Sequence, residues 1–247
     1  MKGIYIVSDS HFGSSEGCIP ESERVSLFFK FLENVKESGE KLILLGDIFD
    51  FWFEYKNVVP KNYFAILKKI SEISEIMEVN FVCGNHDLWA DGFLESLGIK
   101  IYRESLEMEL WGKKIFLAHG DRLRKTDLGG RTVRLIMGNP ISVALYRLIH
   151  PDWGISFARF ISNLSRAKSG QKTLKNPVPT PAISLFNEGY DVVILGHTHY
   201  PYLNAHDKGI FMSTGDWMYH FTYGLIEDKN IHLVYFCDNK RISLPLL

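Results

Sequence analysis

Five short hydrophobic runs, each of a length suited to a core strand, end in residues that can bind divalent metals. Gly3–Ser8 leads into Asp9-Ser10-His11, and Lys41–Leu45 into Gly46-Asp47. Val79–Cys83 leads into Gly84-Asn85-His86-Asp87, Lys114–Ala118 into His119-Gly120-Asp121, and Asp191–Leu195 into Gly196-His197-Thr198-His199. In open α/β sheets, ligands gather where strands end, because loops leaving neighbouring strands project side chains into one crevice. Oxygen donors interleaved with imidazoles suit divalent Mn, Fe or Zn and not an all-oxygen calcium site. A single His or Asp after a strand is ordinarily a turn or cap residue. Five such strand ends in one chain point to a dinuclear metal centre.

At 247 residues the chain can bury one sizeable core, and the expectation is a single domain over 1–247. The opening Met1–Val7 already reads as a strand, and its apolar run is too short for a signal peptide. No run of about 18 apolar residues suggests a membrane span. Cys18, Cys83 and Cys237 are widely separated and form no CxxC pair, which fits reduced thiols better than a disulfide framework. These features lead to the expectation of a cytoplasmic protein. The net charge of −1 hides an asymmetry: Arg122–Pro181 holds 11 Lys+Arg and 2 Asp+Glu, a net of +9, against −10 for the remainder. Charge separated in this way suggests a surface for an anionic partner, with solvated helix faces as the plainer alternative.

Outside the basic stretch, strands and helices alternate. Glu21–Ser38 carries Val25, Phe28, Phe29, Leu32 and Val35 at helical spacing, and about Lys61–Met77 carries Tyr63, Phe64, Leu67, Ile70 and Ile73. Ile99–Leu110 and Lys114–Ala118 flank Trp111-Gly112-Lys113 as a hairpin. A helix near Pro181–Glu188 precedes the Asp191 strand, and the tail reads as strands at Gly209–Thr214, Tyr219–Glu227, Asn230–Phe236 and Arg241–Leu244. The order predicts an α/β fold in the form of a two-sheet sandwich with helices on its outer faces. The stretch at about 122–181 is read as a helical insertion. Within it, Asn139-Pro140 separates Thr132–Met137 from Ile141–Ile149, and a further helix spans about Gly154–Ala167. Two placements are open: a lid over a substrate with an apolar part, or helices packed on the core with a basic rim exposed.

The five segments in this order resemble the calcineurin-like metallophosphoesterase superfamily. The resemblance implies that Asp9, His11, Asp47 and His199 hold one metal, and that Asp47, Asn85, His119 and His197 hold the other, with Asp47 bridging. A bridging carboxylate allows two cations roughly 3.5–4 Å apart, a spacing that clamps the attacking and leaving oxygens of phosphoryl transfer. The implied reaction is in-line attack of a metal-bridging hydroxide on phosphorus. His86, one residue beyond a ligand, is implied as a catalytic donor to phosphate or leaving oxygen. Asp87 is expected to orient His86 through its other ring nitrogen, with Asp121 outside the ligand set. Asp50 either buttresses the loop or caps it.

Finer motifs narrow the branch. Gly46-Asp47-Ile48-Phe49-Asp50-Phe51-Trp52, Asp127, Arg131, Arg134, Asn139-Pro140, the segment Ser162–Lys172, Gly196–Pro201 and Thr214-Gly215-Asp216-Trp217 together look like the UDP-2,3-diacylglucosamine pyrophosphatase family of lipid A biosynthesis. That resemblance implies cleavage of UDP-2,3-diacylglucosamine to UMP and 2,3-diacylglucosamine 1-phosphate with two divalent ions, manganese ahead of iron or zinc. The substrate-binding candidates are Asn85, His86 and His197 at the centre, with Asp127, Arg131, Asn163, Ser165, Lys168 and Lys172 in the insertion. Arg131, Lys168 and Lys172 suit phosphates, Asp127, Asn163 and Ser165 suit the sugar, and the apolar stripes suit acyl chains. Basic residues beside apolar ones also suit peripheral docking on the anionic inner face of the cytoplasmic membrane.

This chain has His86 where the described members of that family carry Arg, so a sister branch acting on another nucleotide-linked or small phosphodiester is the alternative. Nucleic acid is not the expected partner, because the insertion's aromatics follow buried stripes and not a row of stacking platforms. A non-catalytic metal-binding scaffold is the reading from another class, and the complete ligand set stands against it.

Overall fold

The computed structural model describes residues 2–90, 92–123, 138–158, 160 and 178–246. Strands β1 (Gly3–Val7), β2 (Gly39–Leu44), β3 (Glu78–Val82) and β4 (Ile99–Tyr102) run parallel, and β10 (Thr222–Glu227), β11 (Asn230–Tyr235) and β12 (Lys240–Pro245) extend them antiparallel. The result is a seven-stranded sheet of order β12-β11-β10-β1-β2-β3-β4. A second, five-stranded sheet has the order β5-β6-β7-β9-β8, formed by β5 (Ser105–Leu110), β6 (Lys113–Ala118), β7 (Val192–Leu195), β8 (Pro201–His206) and β9 (Gly209–Thr214). Its heart, β6-β7-β9, is again parallel.

Side chains alternate across each strand, which explains how one chain builds three apolar layers. Ile4 and Ile6 of β1, Ile43 of β2, Ile115 and Leu117 of β6, and Ile194 of β7 meet between the sheets. Their neighbours Tyr5, Val7, Leu42 and Leu44 face outward onto helices α1 (Glu21–Ser38) and α2 (Phe64–Ser74). On the other side, Phe116, Val193 and Phe211 face a later helix that carries Ala182, Leu185 and Phe186. The expected two-sheet sandwich with outer helices is the fold observed.

The helix faces are rotated slightly from their expected positions. In α1 the fully buried residues include Phe31 beside Phe28, Leu32 and Val35, while Val25 and Phe29 are only partly buried. Before α2, Lys61–Tyr63 form a 3₁₀ turn, whose tighter winding shifts the register. Ile66 is therefore buried, and Phe64 is 68% exposed.

The run Ile99–Leu110 is not one arm of a hairpin. It divides at Arg103-Glu104, so that β4 stays on the first sheet while β5 crosses to the second. Only β5 pairs with β6, through Trp111-Gly112, both at positive φ (50° and 77°) as a two-residue hairpin turn with this twist requires. Two short elements escaped the sequence reading: strand β8 and the helical turn α3 (Phe93–Ser96).

Within the stretch read as an insertion, α4 (Pro140–Arg147) begins at Asn139, whose Oδ1 accepts the Ile141 N–H at 2.8 Å. Asn139-Pro140 thus starts a helix, with proline at the first turn where its missing N–H is harmless. Residues 151–158 are helical, and α5 (Thr180–Asn187) returns the chain to the second sheet. Thr132–Met137 and most of the Gly154–Ala167 run lie outside the described residues. Among the described residues, no helix is long and apolar enough to cross a membrane.

Ile6, fully buried between the sheets, provides a stability test. Ile6→Ala is expected to destabilise the fold by about 2–5 kcal/mol, read from the midpoint of urea denaturation with an unchanged slope.

Candidate metal centre

The loops that leave β1, β2, β3 and β7 are stitched together by hydrogen bonds from backbone N–H groups, two to backbone carbonyls and two to the carboxylates of Asp47 and Asp9. Asp9 N–H donates to Gly46 O at 3.0 Å and His11 N–H to Asp47 O at 3.0 Å, joining the first two strand ends. His86 N–H donates to Asp47 Oδ1 at 2.9 Å, and His197 N–H to Asp9 Oδ2 at 2.9 Å, adding the third and the last. Asp9, His11, Asp47, His197 and His199 all have left-handed backbones, with φ between 43° and 67°. For residues with a side chain this conformation costs on the order of 1–3 kcal/mol each, so the surrounding structure must impose it. The glycines of the motifs serve close approach. A Cβ on Gly84 would stand 2.2 Å from Asp47 Oδ1, and one on Gly196 would stand 2.8 Å from Asp9 Oδ2.

Asp47 occupies the middle of the cluster. Its Oδ2 lies 3.2 Å from His119 Nε2, 3.7 Å from His11 Nε2 and 3.9 Å from His86 Nε2. Burial opposes its ionisation, yet the imidazoles of His119, His86 and His11 hold its carboxyl well below the usual range. On one side stand Asp9, His11 and His199, with His199 Nε2 3.4 Å and His11 Nε2 4.0 Å from Asp9 Oδ1. On the other stand Asp47, His119 and His197. In each trio, donor atoms lie within 4.8 Å of one another, and the same is true of His11, Asp47 and His86. The first trio brings together three residues of the first expected set, without Asp47, and the second three residues of the other, without Asn85; the third trio adds His86, which was expected to lie outside both.

These residues fit divalent cations. Asp9 Oδ1 and Asn85 Oδ1 are buried without a hydrogen-bond partner among the described residues, a state a buried oxygen acceptor rarely keeps unless something else meets it. Burial, reinforced by Asp47, raises the Asp9 carboxyl against the pull of His199 and His119. His119 Nδ1 lies 3.0 Å from Leu45 O, which fixes the ring proton there and leaves Nε2 as the coordinating nitrogen.

The neighbouring acids divide their work differently from expectation. Asp87 was expected to orient His86. Instead its Oδ1 accepts Gly84 N–H at 2.7 Å and its Oδ2 accepts Ile48 N–H at 2.9 Å, tying the β3 loop to the β2 loop. Burial and the nearby Asp47 push its carboxyl up to about 7. His86 is oriented by a backbone group: its Nδ1 lies 2.7 Å from Asp50 O. The Asp50 carboxylate is buried, 3.8 Å from His11 Nδ1 and 4.0 Å from His86 Nδ1. It therefore buttresses the loop between two site histidines. Asp121 is buried beside the β6 end.

Two supporting residues carried no role in the sequence reading. Arg24, fully buried on α1, donates to Ser10 O at 2.9 Å and to Ser14 O, which pins the loop around His11. An arginine in an apolar helix stripe was the available signal. Asp216, beyond the end of β9, contacts His199, and a sixth strand end was its signal.

The insertion meets this centre through aromatic rings. Tyr146 of α4 packs against Phe53 at 4.6 Å, Trp89 at 5.9 Å and Phe51 at 6.0 Å between ring centroids. Those partners lie just beyond Asp50 and Asp87 in the same two loops. Gly154 lies flat on the hydroxyls of Tyr55 and Tyr146, where a Cβ would come within 2.5 Å and 3.1 Å. Elsewhere the helices show apolar side chains to solvent: Leu148 is 82% exposed, Trp153 75%, and Ile141, Leu145, Phe157 and Phe160 are also exposed. Packing on the core with only a basic rim outward is therefore not the arrangement of the described part. Asp127, Arg131, Asn163, Ser165, Lys168 and Lys172 lie outside the described residues.

Comparison with known proteins agrees with this geometry. The family model described as calcineurin-like phosphoesterase matches residues 3–201. A protein of Porphyromonas gingivalis named UDP-2,3-diacylglucosamine hydrolase is 32% identical over 93% of this chain and 96% of its own length. A protein of the same name from Photorhabdus laumondii is 27% identical over 93% and 97%. Among solved structures, the phosphoesterase YfcE from E. coli shares the fold at a TM-score of 0.50, with 17% identity over 99% of this chain and 100% of that one. With its metal-binding side chains at the ends of parallel strands, this chain belongs to the calcineurin-like phosphoesterase family.

Proposed function

We propose that this protein hydrolyses the pyrophosphate bond of UDP-2,3-diacylglucosamine, giving UMP and 2,3-diacylglucosamine 1-phosphate. The observation that carries the reading is the end-to-end similarity, insertion included, to hydrolases bearing that substrate's name. Asp9, His11 and His199 would hold one divalent ion, and His119, His197 and Asn85 the other, with Asp47 presented to both. Manganese is the ion we assign, since a mixed carboxylate–imidazole set accepts it. Bound there, such ions supply Lewis acidity that activates water and offsets charge on phosphoryl oxygens.

The protein's own groups supply the rest. With Nδ1 committed to the Asp50 carbonyl, His86 turns Nε2 toward the Asp47 side of the centre, at 3.9 Å from Oδ2. Nε2 is thus the nitrogen placed to move a proton at the scissile or leaving oxygen. The buried, strained loops allow little adjustment, so the donors are preorganised. Arg131, Lys168 and Lys172 remain our candidates for the phosphates, and Asp127, Asn163 and Ser165 for the sugar.

We further assign the protein to the cytoplasm, at the inner membrane face. Support comes from the exposed apolar side chains of α4 and residues 151–160, which sit in the net-basic stretch. Apolar burial combined with attraction to anionic headgroups gives reversible membrane attachment. His86, in place of arginine, favours one second reading: a sister branch cleaving another nucleotide-linked or small phosphodiester.

The substrate test is hydrolysis by metal-stripped protein reconstituted with Mn²⁺, with bis(p-nitrophenyl) phosphate assayed alongside. Rapid UMP release with slow turnover of the aryl diester is the expected result; turnover of the aryl diester alone establishes the second reading. Asp47→Ala is expected to abolish activity and weaken both ions. His86→Ala should keep metal content near normal while turnover falls roughly 10²–10⁴-fold. Metal loss in the His86 variant would instead make it a ligand. Leu148→Glu with Trp153→Glu should reduce co-sedimentation with anionic vesicles, and unchanged binding refutes the membrane assignment.

A further inference from the structure

Asp216 stands behind His199, on the side away from the other metal-binding groups. Its Oδ1 accepts three successive backbone N–H groups, from Met218 at 3.0 Å, Tyr219 at 2.7 Å and His220 at 3.0 Å. Three such donors fix both the position and the ionised form of a carboxylate. The second oxygen, Oδ2, is shared between two imidazoles: His220 Nδ1 at 3.1 Å and His199 Nδ1 at 3.6 Å. His199 then turns its far nitrogen, Nε2, toward Asp9 Oδ1 at 3.4 Å.

The arrangement is a chain of His220, Asp216 and His199 that ends at the centre. A coordinating imidazole must carry its proton on the nitrogen remote from the ion, and a carboxylate at that nitrogen sets both tautomer and ring orientation. His199 needs such help. It lies in a loop at φ 59° and its side chain is 33% exposed, whereas His11 and His119 are almost fully buried. Packing alone therefore constrains His199 least of the three. The peptide of Leu45, which orients His119, has its counterpart here in the Asp216 carboxylate.

We propose that Asp216 and His220 act as a pair of positioning residues for His199, setting the affinity of the ion site formed by Asp9, His11 and His199. His220 holds Oδ2 from the solvent side, so that the carboxylate cannot swing away from His199. The Asp47–His119–His197 site, oriented by other groups, is independent of the pair. This inference rests on the metal reading of the centre and not on which phosphoester is cleaved.

The test is a titration of metal-stripped protein with Mn²⁺, followed by the electron paramagnetic resonance of the free ion and by calorimetry. Wild type is expected to bind two ions; failure to bind any overturns the metal reading itself and this inference with it. In Asp216→Asn one site should weaken roughly 10–100-fold while the other is unchanged. His220→Ala should weaken the same site by a smaller factor. His220→Asn, whose Nδ2 takes the place of Nδ1, should recover the wild-type isotherm. Unchanged isotherms in Asp216→Asn, or equal weakening of both sites, overturn the proposal in favour of a simple loop cap. Should Asp216→Asn fail to fold, the two His220 variants decide: loss with alanine and recovery with asparagine support the pair, and no difference from wild type removes it.

Discussion

Asp47 is held from several directions at once, and the centre depends on that grip. Its carbonyl accepts the His11 N–H, its Oδ1 accepts the His86 N–H, and its Oδ2 faces imidazoles from the ends of β1, β3 and β6. A buried carboxylate without partners would protonate or be driven to the surface. Here the partners come from both sheets, so the sandwich must close before the charge is stabilised. The glycines flanking it serve the same end, because Gly84 leaves no room for any side chain beside Asp47.

Such a centre is built at a cost in backbone strain. Five of its histidine and aspartate residues adopt left-handed φ angles. The framework that enforces them is rigid: two sheets with parallel hearts, three apolar layers, and a buried arginine clamping the loop around His11. Outer groups then aim the rings. Leu45 O orients His119, Asp50 O orients His86, and Asp216 faces His199. Backbone carbonyls perform two of these tasks, so the donor nitrogens are directed without adding further charge to an already acidic pocket.

The stretch between β6 and α5 follows a different physical logic. Its described helices bury little and display large apolar side chains, yet Tyr146 and Gly154 seat it on an aromatic box built from the same loops that carry Asp50 and His86. One end is therefore registered against the centre, and an apolar face is left outward. That combination suits a lipid-linked substrate whose phosphates lie at the ions and whose chains lie elsewhere.

Much of this was legible in the chain itself. A hydrophobic run that ends in Asp-x-His or Gly-Asn-His-Asp declares both a strand and its terminus, because the switch from apolar to ligand residues occurs where the backbone leaves the sheet. The order of elements, the two-sheet fold and the residues that converge on the centre follow from that local signal. The division of Ile99–Leu110 between two sheets did not, since both halves have strand composition and only pairing with β3 or β6 separates them. Nor did the partner of Asp87, or the roles of Arg24, Asp216 and His220, emerge from sequence. Each depends on which backbone N–H, backbone carbonyl or imidazole stands within about 4 Å, and that is set by the packing of elements distant in the chain. Sequence determined which groups reach the centre, because strand ends are local features; tertiary structure decided which nitrogen or oxygen each one faces, because orientation is a property of the closed sandwich.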